Sequence, residues 1–271
     1  YSSEDEDDST IQQTDIERKR QKTPREAMMA STNKGSGSLN LPPVPNEIKE
    51  LFPDPRKDYT KHIPDPSKHE GRIRTIPHVE GNFATHIHVR VKAPPEFLNL
   101  MRSLETYLKT HHTSIHSCSD NDSATELELH ISLSRLIILK YHQIERFWNN
   151  LQSALGRPKS FTMSFARIIQ LMNDTRTCSY LALEVGMGTN ELKSLLEKID
   201  YVVGQFKQPT FYEKPRFHTS VFWSLNHLSE SLCEEAEAAF GDMIRDYAFL
   251  PDDLVCQIGN RKYITKLDQS L

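Results

Sequence analysis

Two short stretches constrain this 271-residue chain more than any other feature: Leu129-His130-Ile131-Ser132-Leu133-Ser134 and Phe217-His218-Thr219-Ser220-Val221-Phe222. Each sets a histidine, one spacer and a serine among apolar and β-branched residues, the pattern of a strand. Residues two apart on a strand share a face, so each stretch offers an imidazole and a hydroxyl together, roughly 6–7 Å apart along the backbone. One His-x-Ser occurs readily by chance. Two, on strands 88 positions apart, suggest a duplicated half-site. The plainer alternative is two ordinary strands, each with a half-buried histidine.

Such a pair suits cleavage of an RNA phosphodiester. One neutral imidazole takes the proton of a ribose 2′-hydroxyl, which attacks the neighbouring phosphorus, while a second, protonated imidazole gives a proton to the departing 5′-oxygen. Histidine serves both roles because its ordinary pKa of about 6.5 leaves either state accessible near neutrality. Ser132 and Ser220 would donate to the non-bridging oxygens as charge builds there. The substrate supplies the nucleophile, so neither a metal nor another cofactor is expected.

Composition limits the remaining choices. Residues 1–70 hold 11 Lys+Arg against 14 Asp+Glu, so of the net charge of −4 the rest of the chain carries only −1. A near-neutral body can grip a few nucleotides but not wrap a long duplex. A mean hydropathy of −0.58 is low for a wholly folded chain and points to a disordered part. That part is expected at 1–70. There an acidic run, Glu4 to Asp8, precedes the basic Arg18-Lys19-Arg20 with Lys22 and Arg25, a Gly/Ser segment, and prolines from Pro42 to Pro66. The basic cluster reads equally as a nuclear-import signal or as solvated charge, and Leu51-Phe52 as a small apolar anchor. Cys118, Cys178, Cys233 and Cys256 are too dispersed for a CxxC motif. With no signal-peptide pattern at the observed start, thiols in a reducing compartment are expected. The longest aliphatic run, Leu136 to Leu139, is too short to cross a bilayer.

From Gly71 onward the patterning predicts an ordered α+β domain over 71–271. Asn82 to Val91 alternates as a strand with His86 and His88 on one face; no third ligand stands nearby, so ordinary strand histidines are favoured over a metal pair. Pro94-Pro95 opens a helix to about Lys109, and 111–123 reads as a His-rich loop with a small β element at its start. A strand over 126–134 carries the first motif, and a helix over 143–155 is stopped by Gly156 and Pro158. Strands at 161–171 and 177–185 form a hairpin with its tip at 172–176. A helix over 189–206 follows, with Thr189 or Asn190 as cap, then a loop to Arg216, the second motif, a helix over 229–246 and a closing hairpin to Leu267. Each motif is followed by a helix. The order fits two related lobes across a groove, antiparallel sheets flanked by helices.

These stretches resemble the paired His-x-Ser/Thr motifs of the two-histidine phosphoesterase superfamily. Gly71-Arg72-Ile73-Arg74-Thr75 leading into Gly81-Asn82-Phe83-Ala84-Thr85-His86, Leu183-Glu184-Val185, Thr210-Phe211-Tyr212 and Gly259-Asn260-Arg261-Lys262 are similar, in order, to segments of the U6 spliceosomal RNA phosphodiesterase family, which trims the 3′ end of U6. The resemblance covers roughly residues 70–267. It implies a bilobal, pseudo-twofold fold and a metal-independent 3′-to-5′ exoribonuclease acting in the nucleus on a uridine- or adenosine-ended RNA. His130 and His218 would be the acid/base pair, with Ser132 and Ser220 on the phosphate. Tyr212 would stack on the terminal base, Lys214, Pro215, Arg216 and Phe217 would line its pocket, and Asp174 at the hairpin tip would reach the nucleotide. The tip carries Asn173-Asp174 where the family pattern has a glutamine-like amide. The expected partner is a single-stranded, uridine-rich RNA end, bound by a monomer away from any membrane. Two other readings stay open: a cyclic phosphodiesterase or RNA end-joining enzyme on the same scaffold, or a non-catalytic RNA-end-binding module.

Overall fold

The computed structural model describes residues 66–72, 76, 79–112, 114–118 and 127–269. The acidic run, the basic cluster and Leu51-Phe52 lie outside the described residues. Of the expected tail only 66–70 is described, as a short 3-10 turn over Pro66–His69. None of the four cysteines is in a disulfide. Among the described residues no helix is long and apolar enough to cross a membrane.

Lobe 1 is built on β1 (Asn82–Ala93), whose odd-numbered residues Ile87, Val89 and Val91 are fully buried while His86, His88 and Arg90 alternate with them. One edge of β1 pairs with β4 (Ile137–Lys140) through Asn82–Thr85 and with β3 (Leu127–Ser132) through His88–Ala93. The other edge pairs with β9 (Asp253–Ile258), which turns at Gly259 into the outer strand β10 (Arg261–Lys266). All pairings are antiparallel, in the order β10-β9-β1-β3 with β4 beside β3 on β1.

Lobe 2 is a second antiparallel sheet in the order β2-β7-β6-β5-β8. Its hairpin is β5 (Met163–Met172) with β6 (Ser179–Val185), and β7 (His218–Ser224) carries the second motif. β8 is Ala248–Phe249. β2 is only His116–Ser117, so the His-rich segment adds its small β element to β7, later in the segment than its predicted start. Asn173 shapes the hairpin tip, its side-chain oxygen accepting from the Thr177 and Cys178 amides.

The helices cross between lobes. α1 (Pro95–His111) follows lobe 1's β1 yet packs under lobe 2, where Phe97 meets Phe165 and Phe249 and Tyr107 meets Phe240 of α4 (Glu230–Arg245). α3 (Thr189–Gln205) follows lobe 2's hairpin yet packs on α2 (Ile144–Leu155) under lobe 1. There Lys198 donates to the Leu155 carbonyl and Asn150 to Gln205. The α3 stripe Leu192, Leu195, Leu196, Ile199, Val202 and Val203 is buried as its spacing predicts. Each such side chain contributes about 1.5–3 kcal/mol when fully covered.

Three local expectations are corrected. The α3 cap is Gly188, not Thr189 or Asn190: the chain needs φ +92° there, and the Thr189 hydroxyl donates back to the Gly186 carbonyl at 2.7 Å. Ile137–Lys140, seen in the sequence only as an aliphatic run, is a strand, so the first motif is followed by β4 before its helix. The first strand continues to Ala93. The other caps agree with their residues: Pro95 opens α1, Gly156 closes α2 at φ +64°, and Ser229 accepts from Leu232 N–H to start α4.

Candidate active site

The first motif is aimed by strand alternation. Leu127, Leu129 and Ile131 of β3 are buried in the core, while Glu128, His130 and Ser132 turn to the other face. Register sets His88 opposite Ser132 and Arg90 opposite His130. The motif's end is stapled to β1: Leu133 N–H donates to the Ile87 carbonyl, and Ser134 Oγ accepts from Ile87 N–H at 2.8 Å. The open face of lobe 1 thus carries His86, His88 and Arg90, then His130 and Ser132, with Gln257 and Lys262 farther out opposite His86.

In lobe 2, β7 places His218 opposite Glu184 and Ser220 opposite Ala182. The register then shifts by one at Val221, which brings Trp223 opposite Tyr180, on the face of His218 and Ser220. Trp223 is covered there by His116, stacked at 4.4 Å, and by the Arg72 guanidinium at 4.4 Å. Glu184 accepts from both Arg216 (2.8 Å) and Arg167 (2.5 Å). Burial pushes its pKa up, but the two arginines together outweigh it and hold the carboxyl below its usual value.

β3 and β7 pack beside each other, so the two motifs share one groove. Burial in that groove lowers the His130 pKa below 6.5, and the His218 charge lowers it further. The His218 pKa is also lowered, chiefly by burial; Arg216 adds to this, while the Arg216 carbonyl and Glu184 oppose it. His218 Nδ1 lies 2.7 Å from that carbonyl. A carbonyl only accepts, so Nδ1 holds a proton and Nε2 is the nitrogen left to exchange one. Mutual repulsion makes the doubly protonated pair costly, so gaining one proton splits the pair into one acid and one base.

His86 and His88 stand beside this pair. Their rings stack at 5.1 Å, and each meets His130 edge-on, at 6.0 and 5.5 Å. Burial, then the His130 charge, lowers the His86 pKa to about 4; burial and the His86 charge, then His130, Lys262 and Arg90, lower His88 to about 3. Both are neutral near pH 7. His86 Nε2 is 3.0 Å from Ser132 Oγ. Among the described residues no group of three or more His, Cys, Asp or Glu is arranged to hold a metal ion.

A cavity of about 730 Å³ opens from His218 and Ser220 toward the hairpin tip, lined also by Tyr180, Lys214 and Arg216. At its mouth Tyr212, 47% exposed, donates its O–H to Asp174 at 3.1 Å. Arg135 donates to the same carboxylate at 2.9 Å and lies over the Tyr212 ring at 4.8 Å. Burial and then Asp174 push the Tyr212 hydroxyl pKa up.

The structure therefore gathers His130, Ser132, His218, Ser220, Tyr212, Lys214, Arg216 and Asp174 around one groove. Phe217 is corrected: alternation with His218 turns it inward, where it is buried and lies parallel to Phe211 at 6.3 Å. Pro215 is not among the residues lining the cavity. Arg135, one residue after the first motif, and His86 join the site only through the fold. The one sequence signal for His86 was the shared strand face with His88.

A family model named HVSL, described as an uncharacterised conserved protein, matches residues 42–265. The chain is 28% identical over 236 residues to U6 snRNA phosphodiesterase 1 of Xenopus laevis, covering 84% of this chain and 90% of that protein. It is 29% identical over 228 residues to U6 snRNA phosphodiesterase 1 of Homo sapiens, 81% of each. Among solved structures it is similar to Kluyveromyces marxianus Usb1, with a TM-score of 0.52 and 13% identity over 68% of this chain and 98% of that one. The same yeast protein, solved with uridine monophosphate, matches with a TM-score of 0.51 at 14% identity over 68% and 98%. The chain belongs to the HVSL family, and its paired motifs sit in the two-histidine phosphoesterase fold.

Proposed function

We infer that the chain is a metal-independent RNA phosphodiesterase, a 3′-to-5′ exoribonuclease that trims the oligouridine 3′ end of U6 spliceosomal RNA. The observation that carries this reading is the coupling of His130 and His218 in one groove, each with a serine two residues on along its strand. In the reaction the neutral member of the pair takes the proton of the penultimate ribose 2′-hydroxyl. The freed oxygen bonds to phosphorus, the bond to the terminal 5′-oxygen breaks, and the protonated member supplies that oxygen's proton. Protons balance, and the shortened RNA ends in a 2′,3′-cyclic phosphate or, after hydrolysis of the ring, a 3′-phosphate. Ser132 and Ser220 hold the non-bridging oxygens. Tyr212 stacks on a base, with Lys214, Arg216 and Asp174 around the nucleotide.

The substrate assignment is supported by the relatives named U6 snRNA phosphodiesterase 1 and by the related fold solved with uridine monophosphate. It carries with it a single-stranded, uridine-rich RNA partner, a monomeric enzyme away from membranes, and action in the nucleus alongside splicing. The test is an oligouridine-tailed RNA incubated with the protein in EDTA, with and without one 2′-deoxy nucleotide near the end. Stepwise shortening that halts at the deoxy position is expected. Absence of shortening on both RNAs would overturn the reading in favour of a small cyclic substrate or a binding role.

A further inference from the structure

Neither His86 nor His88 has a part in the chemistry above, yet both stand against it. The β1–β3 register puts His88 directly opposite Ser132, and His86, two residues along the same face, reaches Ser132 diagonally with Nε2 at 3.0 Å from Oγ. Its ring is fixed from two sides, stacked on His88 at 5.1 Å and set edge-on to His130 at 6.0 Å. Resting on the reading of the site as an RNA phosphodiesterase, we propose that His86 is a positioning residue: its Nε2–H donates to Ser132 Oγ and so turns the Ser132 O–H toward the phosphate.

The number of hydrogens at the contact decides its direction. A serine hydroxyl has one hydrogen and two lone pairs, and a neutral imidazole has one N–H. If Ser132 donates to His86, only lone pairs remain toward the phosphate oxygens, and like charge repels. If His86 donates, its hydrogen occupies a serine lone pair and the serine hydrogen is released for the anion. A bound phosphate therefore selects the second tautomer. Neutrality matters to this role: burial and His130 hold the His86 pKa at about 4, so it directs a hydrogen without adding a second cation beside His130. In lobe 2 the residue directly opposite Ser220 on β6 is Ala182, which has no side-chain donor.

The test is a mutant cycle on the full chain with the oligouridine-tailed RNA, reading kcat and KM for wild type, His86→Asn, His86→Gln, Ser132→Ala and the doubly substituted protein. Thermal unfolding is recorded for each. A glutamine amide reaches the Nε2 position and an asparagine amide does not; both keep a polar group on the strand face. His86→Asn is expected to lower kcat about 10-fold with little change in KM, the loss expected of a group that aligns one transition-state donor. His86→Gln should recover most of it, and His86→Asn should cost nothing further in a Ser132→Ala background. The proposal is overturned if the two histidine variants are equally slow, if their losses multiply with that of Ser132→Ala, or if Ser132→Ala leaves kcat unchanged. Absence of RNA shortening by the wild type would instead overturn the proposed function.

Discussion

Replacing Asp253 by asparagine is a demanding test of how lobe 1 is held behind His130. The Asp253 side chain is 0% exposed, at the first residue of β9. It is paired with Arg90 on β1, 21% exposed, and with Lys266 on β10 at 2.7 Å. Arg90 also reaches Glu128 at 3.1 Å. One carboxylate therefore ties three strands together beside the histidine row. Asparagine keeps the shape and removes the charge, leaving Arg90 with Glu128 alone. Breaking a buried pair from one side costs about 3–5 kcal/mol. The arm to Lys266, 77% exposed, adds no more than a surface pair, about 0–1 kcal/mol. Because Arg90 keeps Glu128, the low end applies, about 3 kcal/mol, or roughly 6–12 °C in Tm for an ordered region of this size. Burial raises the Asp253 pKa, but Lys266 and Arg90 together bring it below the usual carboxylate value. Its contribution is thus complete above the unfolded value of about 3.9 and is lost as pH falls through the lower folded value. Urea unfolding of both proteins at pH 7 and near pH 3 measures this: the midpoint should fall with an unchanged slope, and the deficit should narrow in acid. A deficit below about 1 kcal/mol at pH 7, or one equally large at pH 3, refutes the reasoning.

Further outcomes follow from the site and from one turn. His130→Ala and His218→Ala should each slow RNA shortening by about 10²–10⁴-fold while a fluorescently labelled RNA still binds; near-normal turnover in either would remove the two-histidine mechanism. With both pKa values below 6.5 in the free enzyme, kcat/KM should peak on the acid side of 6.5 and fall about tenfold per pH unit above it, leaving about 1% or less of the protonated partner at pH 8.5. A flat profile to pH 7.5 would contradict the burial described. Arg135→Gln removes a cation over an exposed ring and a surface ion pair, so KM for oligouridine should rise several-fold with kcat nearly kept, measured by initial rates. Gly188→Ala places a Cβ 2.9 Å from that of Met163 at φ +92° and should cost about 1–3 kcal/mol in urea unfolding.

The histidine strands were legible because period-2 alternation is local: Leu129, His130, Ile131 and Ser132 announce their faces without knowledge of a partner. The same holds for the α3 stripe and the closing hairpin at Gly259-Asn260. What stayed hidden depends on pairing across distance. Residues 86 and 132 lie on different strands, and only the β1–β3 register makes them neighbours. Arg135, Asp174 and Tyr212 come from three separate loops, and no spacing rule brings them to one point. The sequence likewise did not say that α1 and α3 each pack under the opposite sheet, because an amphipathic stripe declares that a face is buried without naming what buries it. Phe217 enters the expected pocket only through the resemblance, as the end of the Lys214–Phe217 stretch, whereas a strand sends Phe217 and His218 to opposite faces.

The central place of β1 also bears on the order in which the molecule can be made. Among the described elements β9 and β10 follow all others in chain order, whereas residues 95–249 contain every described strand of lobe 2 and both helices packed beneath it. Lobe 2 can thus close while the chain is still growing, but β1 must wait with its Thr85–Arg90 edge unpaired until β9 arrives. An unpaired central strand is a template for another chain. A polypeptide stopped before residue 253 therefore keeps both histidines and both serines, yet leaves that edge of β1 open to pairing with another chain.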